Sequence, residues 1–197
     1  MSSRIFITGI VGGIVMFIWS TMAHVVLPLG QVGIRELPNE APILDALRTN
    51  LGENRGLYLF PGSGLGPDAT AEARRDAMKR VGEKAANGPT GLLMYNPRRA
   101  FDIAQLMGAE FGTEILEAIL LVFLLSSTRL LTAASRILFA TIAGVLAAIS
   151  TNVSYWNWYG FPKRYTAAYM FIQIVGFFLV GAVAALMLKD RDPVRES

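Results

Sequence analysis

The sequence predicts an all-α membrane protein, a four-helix transmembrane bundle with a small α/β extracytoplasmic insertion between helices 1 and 2. The 197-residue chain is 53% hydrophobic and only 17% charged, whereas an average soluble domain is about 25% charged. Four stretches approach the roughly 20 apolar residues that cross a bilayer as a helix. A long polar segment with nearly balanced charge separates the first stretch from the other three.

The four apolar stretches cover residues 5–29, 103–125, 137–153 and 167–188. The first is too long for the apolar core of a cleaved signal peptide, roughly 7–15 residues, and is therefore interpreted as an anchor. The second carries three glutamates, and the fourth is nearly unbroken. The predicted organisation is transmembrane helix 1 at 1–29, the insertion at 30–100, transmembrane helices 2–4 at 101–190, and a cytoplasmic tail at 191–197.

Lysine and arginine are distributed unequally around these stretches, and this predicts the orientation. One side holds Arg4, Arg129, Arg136, Lys189, Arg191 and Arg195. The short opposite loop, within a turn expected at 154–166, holds only Lys163 and Arg164. Because cytoplasmic loops carry the excess of basic residues, we expect both termini in the cytoplasm and the protein in a bacterial inner (cytoplasmic) membrane. The aromatic run 155–159 would then lie at the outer headgroups.

The insertion predicts two helices and two strands. Pro42 suits a first helical turn, and apolar residues follow it at helical spacing through residue 51. Asp68 or Thr70 is a candidate cap for a second helix over 71–86. Residues 56–61 and 91–97 each contain a glycine, an apolar run with a tyrosine, and then a proline. We expect these two segments to pair as a two-stranded sheet, which requires a cover because an isolated ribbon is marginal in water.

The composition excludes several kinds of chemistry. The chain has no cysteine and one histidine. It therefore has no disulfide framework, no thiolate nucleophile, no Cys-ligated zinc or iron–sulfur cluster, and no multi-histidine metal site within one chain. The net charge of +3 suits an anionic lipid surface and does not require nucleic acid, which we do not expect as a partner.

Three glutamates form a stripe on the second predicted span. Glu110, Glu114 and Glu117 follow the spacing i, i+4, i+7, which places them on one helical face. A carboxylate at mid-bilayer costs about 2.5–3.5 kcal/mol on insertion scales. The stripe must then face a neighbouring helix, a polar cavity or another subunit. Alternatively the span is 115–131, and Glu110 and Glu114 lie at or above the outer headgroups.

Depth along the helices predicts one polar layer in the outer leaflet with a residue from every span. Its members are His24, Glu110, Glu114, Glu117, Asn152 and Gln173. Polar side chains inside a bundle bond to one another because lipid offers no partner, so one interpretation is an interhelical hydrogen-bond network. A second is a metal site of His24, Glu110 and Glu114. A third is a cofactor site in which His24 is the axial ligand of a haem or chlorophyll-type macrocycle.

Two further features concern contacts with lipid or protein. Arg98, Arg99, Lys163 and Arg164 are candidates for binding lipid phosphates or another anionic group. Small residues spaced by four, which let helix backbones approach closely, occur on all four predicted spans. They are Gly9 and Gly13, Gly108 and Gly112, Ala140 with Gly144 and Ala148, and Gly181 with Ala185.

The residue pattern contains no complete catalytic set, so the predicted function is an accessory or structural subunit of a larger integral membrane complex, such as an energy-transducing or photosynthetic one. The expected partners are the lipid bilayer and other membrane subunits, or further copies of the chain. One alternative is a proton- or cation-handling channel or transporter that uses the glutamate stripe. The other is a membrane enzyme acting on a lipid-like substrate, with Glu110 or Glu114 as general base and Arg98 and Arg99 holding phosphate.

Overall fold

The computed structural model describes residues 3–128, 130 and 132–188. The predicted tail 191–197, Arg129 and Lys189 lie outside these residues. The chain forms two compact units. The helical unit combines residues up to Arg35 with those from Asp102 onward, and the insertion unit spans Glu36–Phe101.

In chain order, the longer elements are α1 (Ser3–Thr21), α2 (Glu40–Leu51), β1 (Gly56–Phe60), α3 (Ala71–Asn87), β2 (Gly91–Tyr95), α4 (Ile103–Ser126), α5 (Ala133–Tyr159) and α6 (Lys163–Met187). Helices α1, α4, α5 and α6 belong to the helical unit. The other elements belong to the insertion unit.

Helix α1 ends earlier than the expected span 5–29. A π-helical turn, Met22–Val26, follows it and is closed by a hydrogen bond from the Leu27 amide to the Met22 carbonyl at 2.9 Å. Pro28 has no amide hydrogen and cannot continue the helix. The chain then makes a short 3₁₀ turn at Leu29–Gln31. His24 therefore lies in the wider π turn and not in a regular α-helix.

Helix α5 runs through the segment 154–159 that was expected to begin a turn, so that expectation is wrong. The whole aromatic run 155–159 is helical, and the connection to α6 is only 160–162. Gly160 ends α5 in the left-handed conformation, with φ of +70°, which glycine adopts without the steric cost of a Cβ. Pro162 directly precedes the first residue of α6, Lys163.

Small residues set the packing of the helical unit, in which α1 packs against α4 and α6, and α6 packs against α5. A Cβ added at Gly13 would lie 2.6 Å from the Ile115 Cα, so α1 and α4 are in backbone contact. A Cβ at Gly181 would lie 2.6 Å from the Ala140 Cβ across the α5–α6 interface. Three of the four predicted small-residue pairs are thus used inside the chain.

The apolar core fills the half of the helical unit where α1 begins and α4 and α6 end. Its buried members are Met16, Ala118, Leu121, Val122, Leu125, Ala140, Val180 and Ala184. At this end, Arg4 Nε donates to the Met187 carbonyl at 2.8 Å, and Arg136 Nη1 donates to the Leu188 carbonyl at 2.7 Å. Cations are favourable at a helix C-terminus because the helix dipole is negative there. We call this the Arg4 end.

Within the described residues, three helices are long and apolar enough to cross a membrane: Ser3–Val26, Ala133–Tyr159 and Lys163–Met187. Their outer faces carry exposed apolar side chains such as Ile18, Leu146 and Leu186. Both findings are compatible with an integral membrane protein. Helix α4, with its three glutamates, is not among these three.

The insertion unit contains the expected two-stranded sheet, which is confirmed. Strands β1 and β2 pair antiparallel, with Gly56 opposite Tyr95 and Phe60 opposite Gly91. The Tyr95 hydroxyl donates to the Gly52 carbonyl at 3.0 Å and so attaches the sheet to the end of α2. The Thr70 side chain caps α3 by accepting from the Ala73 amide.

Candidate functional site

A cavity of about 240 Å³ lies among the four long helices, in the half of the helical unit away from the Arg4 end. All six residues of the predicted polar layer line it: His24, Glu110, Glu114, Glu117, Asn152 and Gln173. The lining also includes Met16, Trp19, Ser20, Thr113, Thr151, Tyr169, Ile172 and Gly176. The six residues predicted as one layer thus share one cavity, while their common depth in a membrane stays a prediction.

The three glutamates on the α4 wall differ in burial. Glu110 is exposed, Glu117 is partly buried, and Glu114 retains only 5% of its accessible surface. Glu114 is most covered because the α1 backbone at Gly13 lies directly against the Glu114 carbonyl and Ile115. Its Oε2 atom is buried and has no hydrogen-bond partner among the described residues. The nearby Ser20 hydroxyl donates to the Phe17 carbonyl at 3.2 Å.

On the opposite wall, one hydrogen bond joins α5 to α6. The Asn152 side chain is buried, and its Nδ2 donates to Gln173 Oε1 at 3.3 Å and to the Ala148 carbonyl at 3.0 Å. This pair is a direct example of the predicted interhelical bonding between side chains that lipid cannot satisfy.

His24 is held by its surroundings at the open end of the cavity. Its Nδ1 lies 2.8 Å from the Ser20 carbonyl, and its ring meets the Tyr169 ring edge to face at 5.8 Å. A Cβ added at Gly30 would clash with the imidazole carbons and lie 2.9 Å from Nε2. The Gly30 backbone therefore lies against the imidazole ring, and axial ligation of a macrocycle by His24 stays a prediction.

The predicted metal ligands His24, Glu110 and Glu114 share the cavity but do not form a coordinating set. In the part of the chain that the structure describes, no group of three or more His, Cys, Asp or Glu side chains is positioned to hold a metal ion. The cavity lining itself contains hydrogen-bonding and ionisable side chains.

The aromatic and hydroxyl residues of the lining were not among the predicted site residues. Trp19 Nε1 donates to the Ile172 carbonyl at 2.9 Å and so holds the indole between α1 and α6. The Tyr169 ring stacks on Tyr165 with centroids 4.3 Å apart. Ser20 precedes His24 by four residues, a spacing that places both on one helical face and that could have identified it.

The four predicted anion-binding residues are not part of the cavity lining. Arg98 Nη2 is 2.9 Å from Glu53 Oε1 within the insertion unit, and both side chains are mostly exposed. Arg99 is exposed, and Lys163 and Arg164 begin α6. Their contact with lipid phosphate stays a prediction.

Among the described residues, the lining combines three carboxyl groups with one imidazole and contains no lysine or arginine. Such a set favours positively charged or hydrogen-donating groups. Comparisons of the chain with protein-family models, with curated proteins and with solved structures give no match.

Proposed function

We propose that this chain is a small integral membrane subunit of a larger membrane complex, with α4 as a fourth membrane span. The proposal is based on the exposure of the first three turns of α4. Every residue from 103 to 113 is exposed, although this segment contains both glycines of a small-residue pair and a glutamate. A second protein that packs on this segment would cover the polar groups that the chain leaves uncovered.

The packing supports α4 as a span. Its 24 residues reach about 36 Å at 1.5 Å per residue, enough to cross roughly 30 Å of hydrocarbon. Helix α4 also lies in backbone contact with α1 at Gly9 and Gly13, and α1 is itself long and apolar enough to span. Since Glu114 and Glu117 line the cavity, much of their charge is turned away from lipid.

One small-residue pair is unused within the chain and supports a protein partner. A Cβ added at Gly108 or Gly112 would meet nothing within 4 Å, whereas one at Gly9 or Gly13 would meet α4 closer than 3 Å. Small residues promote close helix association in membranes, where no hydrophobic force between helices exists. We therefore assign Gly108 and Gly112 to contact with a membrane-spanning helix of another protein.

The two alternative functions are supported less well. A conducting path would have to cross the apolar cluster that fills the Arg4 end, which includes Leu121, Leu125 and Val180. A lipid-processing enzyme would need Arg98 for the substrate phosphate, and that arginine is paired with Glu53.

The proposal also keeps the predicted topology, with both termini in the cytoplasm of a bacterial inner membrane. Arg4 and Arg136 both bind carbonyls at the end of α6, so these two basic residues share one end of the helical unit. Lys163 and Arg164 lie at the start of the same helix. This asymmetry agrees with the excess of basic residues in cytoplasmic loops.

The experiment is extraction in mild detergent from cells that express the chain from its own promoter, followed by measurement of protein mass. We expect an assembly much heavier than 21.4 kDa that contains at least one other protein. Gly112→Leu should shift the chain toward a smaller species, because leucine fills the surface assigned to the partner. Ala167→Leu adds bulk at an exposed position of α6 and should leave the assembly intact.

A folded wild-type monomer, or an assembly of equal mass for wild type and Gly112→Leu, would refute the proposal. An oligomer that contains only copies of this chain would refute the assignment of a different protein as partner. It would indicate that the chain associates with itself through the surface at Gly108 and Gly112.

A further inference from the structure

One carboxyl oxygen of Glu114, a residue of the cavity lining, has no hydrogen-bond partner among the described residues. A protein bound on the outer surface of α4 would not supply one. Glu114 is 5% exposed, and its Oε2 contacts neither solvent nor a hydrogen-bond donor among the described residues. A buried carboxyl oxygen without a donor is costly, because it has lost its water and gained nothing in return. Because Glu114 is part of the cavity lining, a donor bound in the cavity would meet its carboxyl group.

The charges of the lining indicate the sign of the missing group. Glu110, Glu114 and Glu117 supply three carboxyl groups, and the lining has no lysine or arginine that would pair with them. A positively charged donor gains more here than a neutral one, because hydrogen bonds between charged groups are roughly twice as strong as neutral ones.

The other walls indicate an organic cation. The rings of Trp19 and Tyr169 line the same space, and Met16 and Ile172 add apolar surface. Aromatic faces attract ammonium groups, and apolar walls accommodate a hydrocarbon portion. A bare metal ion fits less well, because the described part of the chain holds no set of three ligating side chains in position for one.

Size sets an upper limit on the ligand. An apolar cavity of roughly 150 Å³ accepts benzene, so a cavity of about 240 Å³ has room for about ten non-hydrogen atoms at the same ratio. His24 and Thr151 are exposed members of the lining outside the segment 103–113, and they mark a side from which a ligand can enter while that segment is covered.

We propose that this cavity is a binding site for a small organic ammonium ion of up to about ten non-hydrogen atoms. The ammonium group donates to the carboxyl group of Glu114, and the side chains of Trp19 and Tyr169 contact the cation. The site belongs to this chain alone, so it does not depend on the subunit assignment.

The test measures calorimetric binding to the full chain in lipid nanodiscs, with empty nanodiscs subtracted. The probe is 2-phenylethylammonium, and its neutral analogue is 2-phenylethanol, which replaces the ammonium group with a hydroxyl. Glu114→Gln keeps the shape of the side chain and removes its charge. Glu83→Gln makes the same change at an exposed position of α3 and serves as the matched control.

We expect wild type and Glu83→Gln to bind the ammonium probe equally. Glu114→Gln should bind it about tenfold to a hundredfold more weakly, the range for loss of a hydrogen bond to a charged group. Wild type should bind the alcohol at least about tenfold more weakly than the ammonium. The last comparison needs no variant, so it holds even if Glu114→Gln fails to fold.

Any of three results would overturn the proposal. These are no binding of the ammonium by wild type at millimolar concentration, equal binding by wild type and a folded Glu114→Gln, or equal binding of the ammonium and the alcohol.

Discussion

The contact between α1 and α4 predicts that alanine at Gly9 and Gly13 lowers the unfolding free energy, whereas alanine at Gly108 and Gly112 raises it. A Cβ at Gly9 would lie 2.7 Å from the Ile119 Cα, and one at Gly13 would lie 2.6 Å from the Ile115 Cα. Ordinary contacts of a Cβ are 3.4–4 Å. The double substitution Gly9→Ala/Gly13→Ala must therefore push the two helices apart by about 1 Å, because backbone atoms cannot rotate away.

The expected loss of unfolding free energy is the cost of overpacking minus the gain in helix propensity. Overpacking costs about 3 kcal/mol at each position, the upper end of its usual range, since the atoms that clash belong to the backbone. Alanine returns about 1 kcal/mol per position through its higher helix propensity. The double variant should lose about 4 kcal/mol of unfolding free energy, which is a large part of a typical total of 5–15 kcal/mol.

The assay is reversible unfolding of the purified chain in mixed micelles, followed by circular dichroism. Gly108→Ala/Gly112→Ala is the control, because these glycines have open space where a Cβ would be placed. The control should gain up to about 2 kcal/mol from helix propensity alone. A control that loses as much as the Gly9/Gly13 variant, or a Gly9/Gly13 variant as stable as wild type, would refute the backbone contact.

Three smaller effects should follow from single contacts. A double-mutant cycle of Asn152→Ala and Gln173→Ala should give a coupling free energy of about 0.6 kcal/mol, the average for interhelical hydrogen bonds in membranes. Losses of unfolding free energy that simply add would contradict the 3.3 Å bond between the two side chains. Gly160→Ala should destabilise the helical unit by about 1 kcal/mol in the same unfolding assay, because its φ of +70° disfavours a Cβ; no loss would argue against the left-handed end of α5. Tyr95→Phe should raise amide hydrogen exchange in β1 and β2, since it removes the bond to the Gly52 carbonyl worth about 1 kcal/mol, and unchanged exchange would count against it.

Local elements were predictable from sequence because they depend on neighbouring residues. The two strands of the insertion follow from a shared pattern of glycine, apolar residues and proline, and the structure pairs them over Gly56–Phe60 and Gly91–Tyr95. The extension of α5 through Tyr159 was missed, because aromatic residues suit both a membrane interface and a helix. The π turn at His24 was missed as well, since an apolar run carries no signal for a change in helical pitch.

The sequence by itself determined that the chain is rich in long apolar helices. It also predicts that His24, three glutamates, Asn152 and Gln173 fall at similar depth. Helical periodicity specifies which residues share a face, but it does not specify which helix that face meets. Only the tertiary structure decided that Gly9 and Gly13 meet α4, while Gly108 and Gly112 meet no other residue that the structure describes. It also decided that Glu114 is buried and Glu110 exposed, because burial depends on how closely α1 approaches each turn of α4.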